Sequence, residues 1–166
     1  LGLCLGFQLA VASFSRHVCG LAEANSTELD PQTPHPVIDL LPEQREVSEL
    51  GGSMRLGGHD IYIDEGSLAY KLYGRRVIRE RHRHRYELNQ KYLPILEKKG
   101  MKFTGFSDEG RRAETLEIPS HPFYFSVQYH PEFISRPGKP EPAFKGFIEA
   151  ALNRRRLKVQ PVASTK

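Results

Sequence analysis

The sequence predicts one three-layer α/β domain, in which helices and strands follow one another along the chain. Three observations favour this class. A helical pattern begins at Cys4, a nearly continuous apolar run at Phe123–Tyr129 is typical of a strand buried on both faces, and the chain closes on an amphipathic helix. With 166 residues, 39% of them hydrophobic, the chain can form one core. We expect the domain over residues 1–153 and a frayed basic tail over 154–166.

The first half of the chain contains the less regular patterns. Leu9, Phe14 and Val18 fall on helical spacing after Cys4, and Gly20 ends the pattern. Proline, threonine and aspartate then indicate a long ordered loop, of a length that is often functional. The glycine pairs that follow indicate turns around a strand. The expected elements are a helix that starts at Cys4 and is stopped by Gly20, a loop over Asn25–Arg45, and strands at Val37–Leu41, Ser53–Leu56 and Ile61–Ile63.

The second half gives clearer signals. The expected elements are a helix over Ser67–Tyr73, an extended segment over Val77–Leu88, a helix over Tyr92–Lys99, a hairpin of Met101–Phe106 with Ala113–Ile118, the buried strand, and a last helix. The extended segment alternates arginine with glutamate, histidine and tyrosine, so both of its faces are charged. On the last helix an apolar stripe predicts a face packed in the core, formed by Phe144, Phe147, Ile148, Ala151 and Leu152.

Composition excludes several classes of protein. The net charge of +4 is small, and a solvated basic surface or contacts to nucleotide phosphates account for it without nucleic acid. No apolar run approaches the roughly 20 residues that span a bilayer, so we expect no membrane association. Cys4 and Cys19 would lie about 22 Å apart on a helix, too far for a disulfide, which favours a reducing, cytoplasmic setting. The chain begins with leucine, which suggests that residues upstream are missing.

Cys4 lies between two glycines in the pattern G-x-C-x-G, which is typical of a sharp turn from a strand into a helix that presents a nucleophile. At a helix N-terminus the dipole and free N–H groups favour thiolate over thiol. The N–H of Leu5 is the expected donor to a developing oxyanion. From these five residues alone, a small buried cysteine between structural glycines is an equally good interpretation.

His130 and Glu132 follow the buried strand, and in an extended segment they would project to the same side. A thiol nucleophile requires a base, and that base requires an orienting group. Such groups gather at the carboxyl-terminal edge of a parallel sheet. Together with Cys4, the two residues predict a Cys-His-Glu triad, against the alternative of a core histidine and an unrelated surface glutamate.

The charged segment allows two other interpretations. Glu80, His82 and His84 share one face and could ligate a metal, but a site needs further ligands, and we expect none. The arginines could bind RNA, but the segment lacks the interleaved aromatic residues that bind single strands. We expect a charge network around the carboxylate of a substrate.

Five stretches resemble a known family. Gly2–Gln8 and Gln128–Phe133 resemble the class I glutamine amidotransferases. Three more, Ala24–Glu28, Gly52–Gly57 and Arg81–Asn89, resemble the CTP synthases among them. The resemblance covers about residues 1 to 153. It implies a flavodoxin-like class I amidotransferase fold whose first strands are missing, together with the upstream loop that supplies a second oxyanion donor.

By this resemblance Cys4 attacks the carboxamide of L-glutamine, His130 transfers protons and Glu132 orients the imidazole. Gln8, Glu28 and Arg85 match positions that hold glutamine, and the loop around Gly51 to Arg55 would form a lid. The domain itself needs no cofactor. In the family, ammonia passes to a synthetase domain that uses ATP and Mg²⁺ to convert UTP to CTP, GTP stimulates hydrolysis, and the full-length enzyme is a homo-oligomer, expected to be a tetramer.

Two alternatives stay open from the sequence. The chain could be a noncatalytic module that keeps the fold and docks onto full-length subunits, since the second oxyanion donor is missing. It could also be another class I amidotransferase with a different ammonia acceptor, although the Asn25–Glu28 stretch favours the CTP synthases.

Overall fold

The computed structural model of the chain describes residues 1–40 and 54–159. The strands in these ranges are β1 (Gly2–Leu3), β2 (Asn25–Ser26), β3 (Pro36–Leu40), β4 (Arg55–Ile63), β5 (Val77–His84), β6 (Tyr86–Leu88), β7 (Lys102–Ser107), β8 (Arg112–Glu117) and β9 (Phe125–Val127). The helices are α1 (Leu5–His17), α2 (Leu68–Tyr73), α3 (Leu93–Lys98) and α4 (Pro142–Val159), with short 3₁₀ turns at Gln90–Tyr92, Asp108–Gly110 and Pro131–Phe133. The predicted lid falls partly outside the described residues, which omit Gly51–Ser53. Of the strand predicted at Ser53–Leu56, the described Arg55 and Leu56 belong to β4.

Two sheets organise the domain. The larger has the order β1-β9-β8-β7-β4-β5, and the smaller has the order β2-β3-β6. In the larger sheet β1 and β9 pair in parallel, whereas the other described pairs are antiparallel. The predicted α/β class is confirmed, and the parallel arrangement expected near the catalytic residues is confined in this sheet to β1 and β9. This parallel pair determines where the site lies, because the chain leaves β1 and β9 at the same edge of the sheet.

Helices cover both faces of the larger sheet. Leu116 on β8 lies opposite Ser126 on β9, so the neighbouring Phe125 and Val127 occupy the other face. Leu116 packs in a buried cluster with residues of α1 and α3, whereas Phe125 and Val127 pack in a second cluster with residues of α2 and α4. The sheet is therefore the middle of three layers, as the sequence predicts.

The predicted hairpin is confirmed, since β7 pairs with β8 around the turn at Asp108–Gly110. The predicted short helix is also confirmed. The Ser67 side chain accepts a hydrogen bond from the N–H of Tyr70 at its start, and Gly74 ends it in the left-handed conformation with φ 65°. The turn predicted at Gly57–Gly58 is wrong. Both glycines lie inside β4, which pairs with β5 over almost its full length.

The charged strand β5 has the predicted alternation. Arg79, Arg81 and Arg83 are exposed, whereas Glu80, His82 and His84 are buried. The strand forms an edge of the larger sheet, so one row of charges can remain in solvent. The imidazole of His82, considered above as a possible metal ligand, lies with its Nε2 2.8 Å from Oε2 of Glu114.

The helix predicted after Cys4 is confirmed, although its apolar spacing does not mark the buried face: Leu9 and Val18 are exposed, and the buried face of α1 carries Phe7 and Val11. The core face predicted for the last helix is wrong. On α4 the stripe expected in the core is largely in solvent, with Phe147, Ile148 and Leu152 all more than 40% exposed. This helix continues to Val159, past the expected start of the tail, and residues 160–166 lie outside the described residues. Among the described helices, none combines the length and the apolar character needed to cross a bilayer.

Candidate active site

Cys4 occupies the sharp turn between β1 and α1. Its φ of 47° and ψ of −102° lie in a region that non-glycine residues rarely adopt, and such backbone strain concentrates at functional sites. Main-chain hydrogen bonds hold the turn, because the N–H of Cys4 donates to Val127 O at 2.8 Å and its own carbonyl accepts from the N–H of Phe7 at 3.0 Å. The cysteine is thereby fixed at the end of β1, beside the end of β9.

The two glycines that flank Cys4 play different parts. A Cβ on Gly2 would lie 2.7 Å from Oγ of Ser126 and 2.8 Å from the backbone of Gly6, so no side chain fits there without movement. A Cβ on Gly6 would meet no described atom within 4 Å. The close packing at this turn therefore requires glycine at position 2 but not at position 6.

His130 and Glu132 form a hydrogen-bonded pair at the end of β9. The imidazole Nδ1 lies 2.6 Å from Oε1 of Glu132, and the main-chain N–H of His130 donates to Arg81 O at 2.9 Å. A 3₁₀ turn over Pro131–Phe133 brings the two side chains together, so the extended segment expected here is wrong although the pairing occurs. The ring of His130 stacks on Phe133, and its Nε2 is buried with no hydrogen-bond partner among the described residues.

The sulfur of Cys4 lies in a partly buried, polar environment. Burial raises the pKa of the thiol, the N–H of Leu5 opposes this with a hydrogen bond, and the negative charges of Glu132 and Glu28 raise the pKa further. The net direction is upward, so the expected preference for thiolate is wrong for the site without substrate. A thiol with a raised pKa stays protonated at neutral pH, so a role as nucleophile would require a base to remove its proton.

The three residues matched to glutamine binding differ in burial and in their partners. Gln8 is 3% exposed, and its Nε2 donates to Tyr86 O at 2.8 Å, whereas its Oε1 is buried without a described partner. Arg85 stands alone between β5 and β6, and its Nε is also buried without a described partner. Glu28 is exposed after β2, and its charge acts on the Cys4 thiol.

Gln128 contacts the sulfur and was not predicted as a site residue. Its Nε2 lies 3.8 Å from Sγ of Cys4, and its Oε1 lies 3.4 Å from Nε2 of Gln8. The carbonyl oxygen of Arg83 is a second neighbour, 4.0 Å from Sγ. A single amide side chain near the end of an otherwise apolar strand is the signal that could have identified Gln128.

Behind the site lies a buried polar network, called here the Glu114 network, formed by Arg55, His82, Ser107 and Glu114. Arg55 and Ser107 bond to Oε1 of Glu114, and His82 bonds to its Oε2 at 2.8 Å. Although burial alone would raise it, hydrogen bonding and charge from His82, followed by Arg55, lower the pKa of Glu114 to about 2. The carbonyl of Glu114 accepts from the N–H of Gln128 at 2.9 Å, which joins the network to the site.

Known proteins resemble the chain in sequence. The family model for "Glutamine amidotransferase class-I" matches residues 1–150. A CTP synthase of Archaeoglobus fulgidus is 58% identical over 94% of this chain and 29% of its own length. A CTP synthase of Staphylococcus saprophyticus is 55% identical over 95% of this chain and 29% of its own length. The chain thus spans less than a third of these relatives.

Solved structures agree in fold. The "Trypanosoma brucei CTPS - glutaminase domain with bound acivicin" has a TM-score of 0.85 and 39% identity, covering 92% of this chain and 59% of that one. A Thermoplasma acidophilum protein named after GMP synthase has a TM-score of 0.60 and 14% identity, covering 96% of this chain and 60% of that one, and shows the fold alone. With a family match over nearly its whole length, the chain belongs to the class I glutamine amidotransferases.

Proposed function

We propose that the chain is the glutamine-hydrolysing domain of a CTP synthase. The observation that carries the proposal concerns three of the six buried side-chain polar atoms that lack a partner among the described residues: Oε1 of Gln8, Nε of Arg85 and Nε2 of His130. All three belong to residues predicted to hold or activate glutamine. Buried polar atoms are normally hydrogen-bonded, so an acceptor, a donor and a base left open in these residues fit a polar substrate.

The first half of the reaction forms a thioester. His130 Nε2 takes the proton of the Cys4 thiol, and the sulfur attacks the carboxamide carbon of glutamine. The N–H of Leu5 stabilises the oxyanion of the resulting tetrahedral intermediate. As this intermediate collapses, the C–N bond breaks and His130 returns its proton to the departing ammonia.

The second half releases glutamate. His130 removes a proton from water, the oxygen attacks the thioester carbon, and the C–S bond breaks as the sulfur regains a proton. Throughout, Glu132 accepts from Nδ1–H of His130 and so keeps Nε2 available as the base.

Substrate binding uses the charges of the matched residues. The carboxylate of Glu28 suits the ammonium group of glutamine, and the guanidinium of Arg85 suits its carboxylate. Oε1 of Gln8 can accept a further hydrogen bond from the substrate. The ammonia would pass to a synthetase domain with ATP, Mg²⁺ and UTP, in a cytoplasmic homo-oligomer stimulated by GTP. These properties come from the resemblance to CTP synthases and lie outside this chain.

The proposal is tested by labelling the chain with acivicin, the compound bound in the Trypanosoma brucei structure. We expect intact and peptide mass spectrometry to show one adduct on Cys4, suppressed by excess glutamine and absent from Cys4→Ala. Cys19→Ala is the matched control and should label like the parent chain. Equal labelling of both cysteines, or labelling that glutamine does not suppress, would show that the pocket does not recognise glutamine.

A further inference from the structure

Gln128 lies between the proposed nucleophile, Cys4, and a proposed substrate contact, Gln8. It is 1% exposed, and its side-chain amide spans the space between Sγ of Cys4 and the amide of Gln8. A buried amide between a nucleophile and a substrate contact is costly unless its hydrogen bonds are used. Packing alone therefore does not explain why an amide side chain occupies this buried position.

The directions of these hydrogen bonds follow from one main-chain carbonyl. Tyr86 O can only accept, so the group of Gln8 that lies 2.8 Å from it must be the NH₂. The same NH₂ lies 3.4 Å from Gln128, which must therefore present its oxygen to Gln8. The remaining group of Gln128 is its NH₂, and it faces the Cys4 sulfur as a donor.

We propose that Gln128 is a further catalytic residue, whose amide donates a hydrogen bond to the Cys4 sulfur as it ionises and fixes the Gln8 amide so that its oxygen faces the substrate. The proposal rests on the proposed function, since it assigns a role within that hydrolysis. A hydrogen bond to an ionised partner is stronger than one to a neutral partner, so the donor stabilises thiolate more than thiol. In agreement, the amide of Gln128 acts to lower the pKa of Cys4 against the larger upward effect of burial.

The surroundings hold Gln128 in place. Its main-chain N–H donates to Glu114 O at 2.9 Å, and Glu114 is itself fixed by Arg55, Ser107 and His82. The amide therefore has a rigid support on one side and the sulfur on the other. Such preorganised donors are effective because they need not reorient during the reaction.

The test measures the acidity of Cys4 without any substrate. The full chain and the variants Gln128→Met and Gln128→Glu are treated with iodoacetamide across pH, and alkylation of each cysteine is followed by peptide mass spectrometry. We expect Gln128→Met to move the Cys4 midpoint upward by about one pH unit, or about tenfold in rate at a fixed lower pH. Gln128→Glu should move it further, because an ionised carboxylate donates nothing and repels the thiolate.

Cys19 provides the internal control, because it lies at the other end of α1 and its profile should be the same in all three proteins. An unchanged Cys4 midpoint in Gln128→Met, with the fold intact by circular dichroism, would overturn the proposal. If Gln128→Met does not fold, Gln128→Leu decides by the same criterion, because it also removes the donor without adding a charge. Loss of fold in both would make Gln128 a structural residue and also overturn the proposal.

The iodoacetamide experiment on Gln128 and the acivicin experiment on the proposed function can fail independently. Iodoacetamide is small, and its reaction with Cys4 does not require a glutamine pocket. Acivicin labelling with no shift in the Gln128 variants would leave the function standing and remove Gln128 from the mechanism. A shift in the variants without acivicin labelling of the parent chain would support the donor to sulfur while removing glutamine as the substrate.

Discussion

Cys4 combines a strained backbone with a thiol whose pKa lies above its ordinary value. The two features have different consequences. The turn fixes the position of the sulfur, and the raised pKa keeps the thiol protonated until, in the proposed mechanism, a base removes the proton. His130 can provide that base, since Glu132 already engages its Nδ1. The residue-scale predictions therefore concern the turn and the charges around the sulfur.

The first prediction compares the two glycines beside Cys4. Gly2→Ala should destabilise the fold by about 1–3 kcal/mol, because the new methyl group collides with Ser126 and with the backbone of Gly6. Gly6→Ala should leave the unfolding midpoint nearly unchanged, since its Cβ meets no described atom. Thermal unfolding followed by circular dichroism measures both. Equal destabilisation by the two substitutions would contradict the assignment of the close approach to Gly2.

The second prediction concerns Glu132, which should have two opposite effects. Its negative charge raises the pKa of Cys4, so Glu132→Gln should move iodoacetamide labelling of Cys4 to lower pH, by about half a unit. The same substitution should slow acivicin labelling by about 100-fold or more, because the amide can donate to Nδ1 and favour the wrong tautomer of His130.

Glu28→Gln is the matched control for this prediction. It also removes a charge that raises the pKa of Cys4, but it leaves the bond between His130 and Glu132 intact. Because Glu28 is proposed only to bind the ammonium group, acivicin labelling of Glu28→Gln should return to the parent rate at saturating reagent. Labelling of Glu132→Gln should stay slow, because its base is no longer oriented. Recovery in both variants would show that Glu132 does not orient the base.

At the level of single residues, local sequence patterns predicted the turn at Cys4 and the pairing of His130 with Glu132, because a turn motif and a strand end are short-range signals. They did not identify Gln128. Its position beside the sulfur depends on the carbonyl of Tyr86 and on Gln8, which come from distant parts of the chain. No pattern within the Phe123–Tyr129 strand states which neighbours its side chains will meet.

The strand β5 illustrates which elements a sequence predicts well. Its alternating charges predict an extended segment, and the structure buries one row and exposes the other. The helix faces were harder, as Leu9 on α1 and Phe147 on α4 show, because apolar spacing gives several candidate faces. Which of them is buried depends on the sheet that the helix packs against, and the sequence does not state its orientation.

The third prediction compares two arginine–carboxylate pairs of strand β4. Arg55→Met should destabilise the fold by about 3–5 kcal/mol, since it leaves the buried carboxylate of Glu114 with one partner fewer. Arg79→Met, which breaks an exposed pair with Asp60, should cost about 1 kcal/mol or less. Urea denaturation gives both values. Similar costs would show that the Glu114 network contributes no more than surface charge.

Across the whole molecule, buried carboxyl groups set the dependence of stability on pH. Burial, followed by the charge of Glu141, raises the pKa of Glu80 to about 8, whereas the Glu114 network lowers that of Glu114 to about 2. The folded state thus holds a proton on Glu80 that the unfolded state loses, so stability falls as pH rises from about 4.5 to 8. Glu114 has the opposite effect: it stabilises the folded state at neutral pH, and this stabilisation is lost as pH falls from about 4.5 towards 2.

The fourth prediction tests the alkaline side. Glu80→Gln should raise the free energy of unfolding by about 1–2 kcal/mol at pH 8 relative to the parent chain, after allowance for residual solvent access, with little effect at pH 4.5. Glu109→Gln, at an exposed turn, should change neither value. Urea denaturation at the two pH values is the measurement. A benefit of equal size at both would show that Glu80 is ionised in the folded state.

The three-layer arrangement was predictable because alternating patterns and one nearly continuous apolar strand limit the choice of fold class. The mainly antiparallel order of the larger sheet was not, since strand neighbours such as β4 and β7 are separated along the chain by β5, β6 and two helices. Pairing between distant strands depends on the whole chain and leaves little trace in any one segment.

The connection from β5 in the larger sheet to β6 in the smaller sheet consists of Arg85 alone. Side chains along extended chain alternate in direction, so one inserted residue here would reverse the faces of β6 relative to β5. The guanidinium would turn away, and the carbonyl that orients Gln8 would no longer be in place. The geometry of this pocket is therefore encoded in a count of residues as well as in their identities, and a one-residue insertion here would be more damaging than many substitutions.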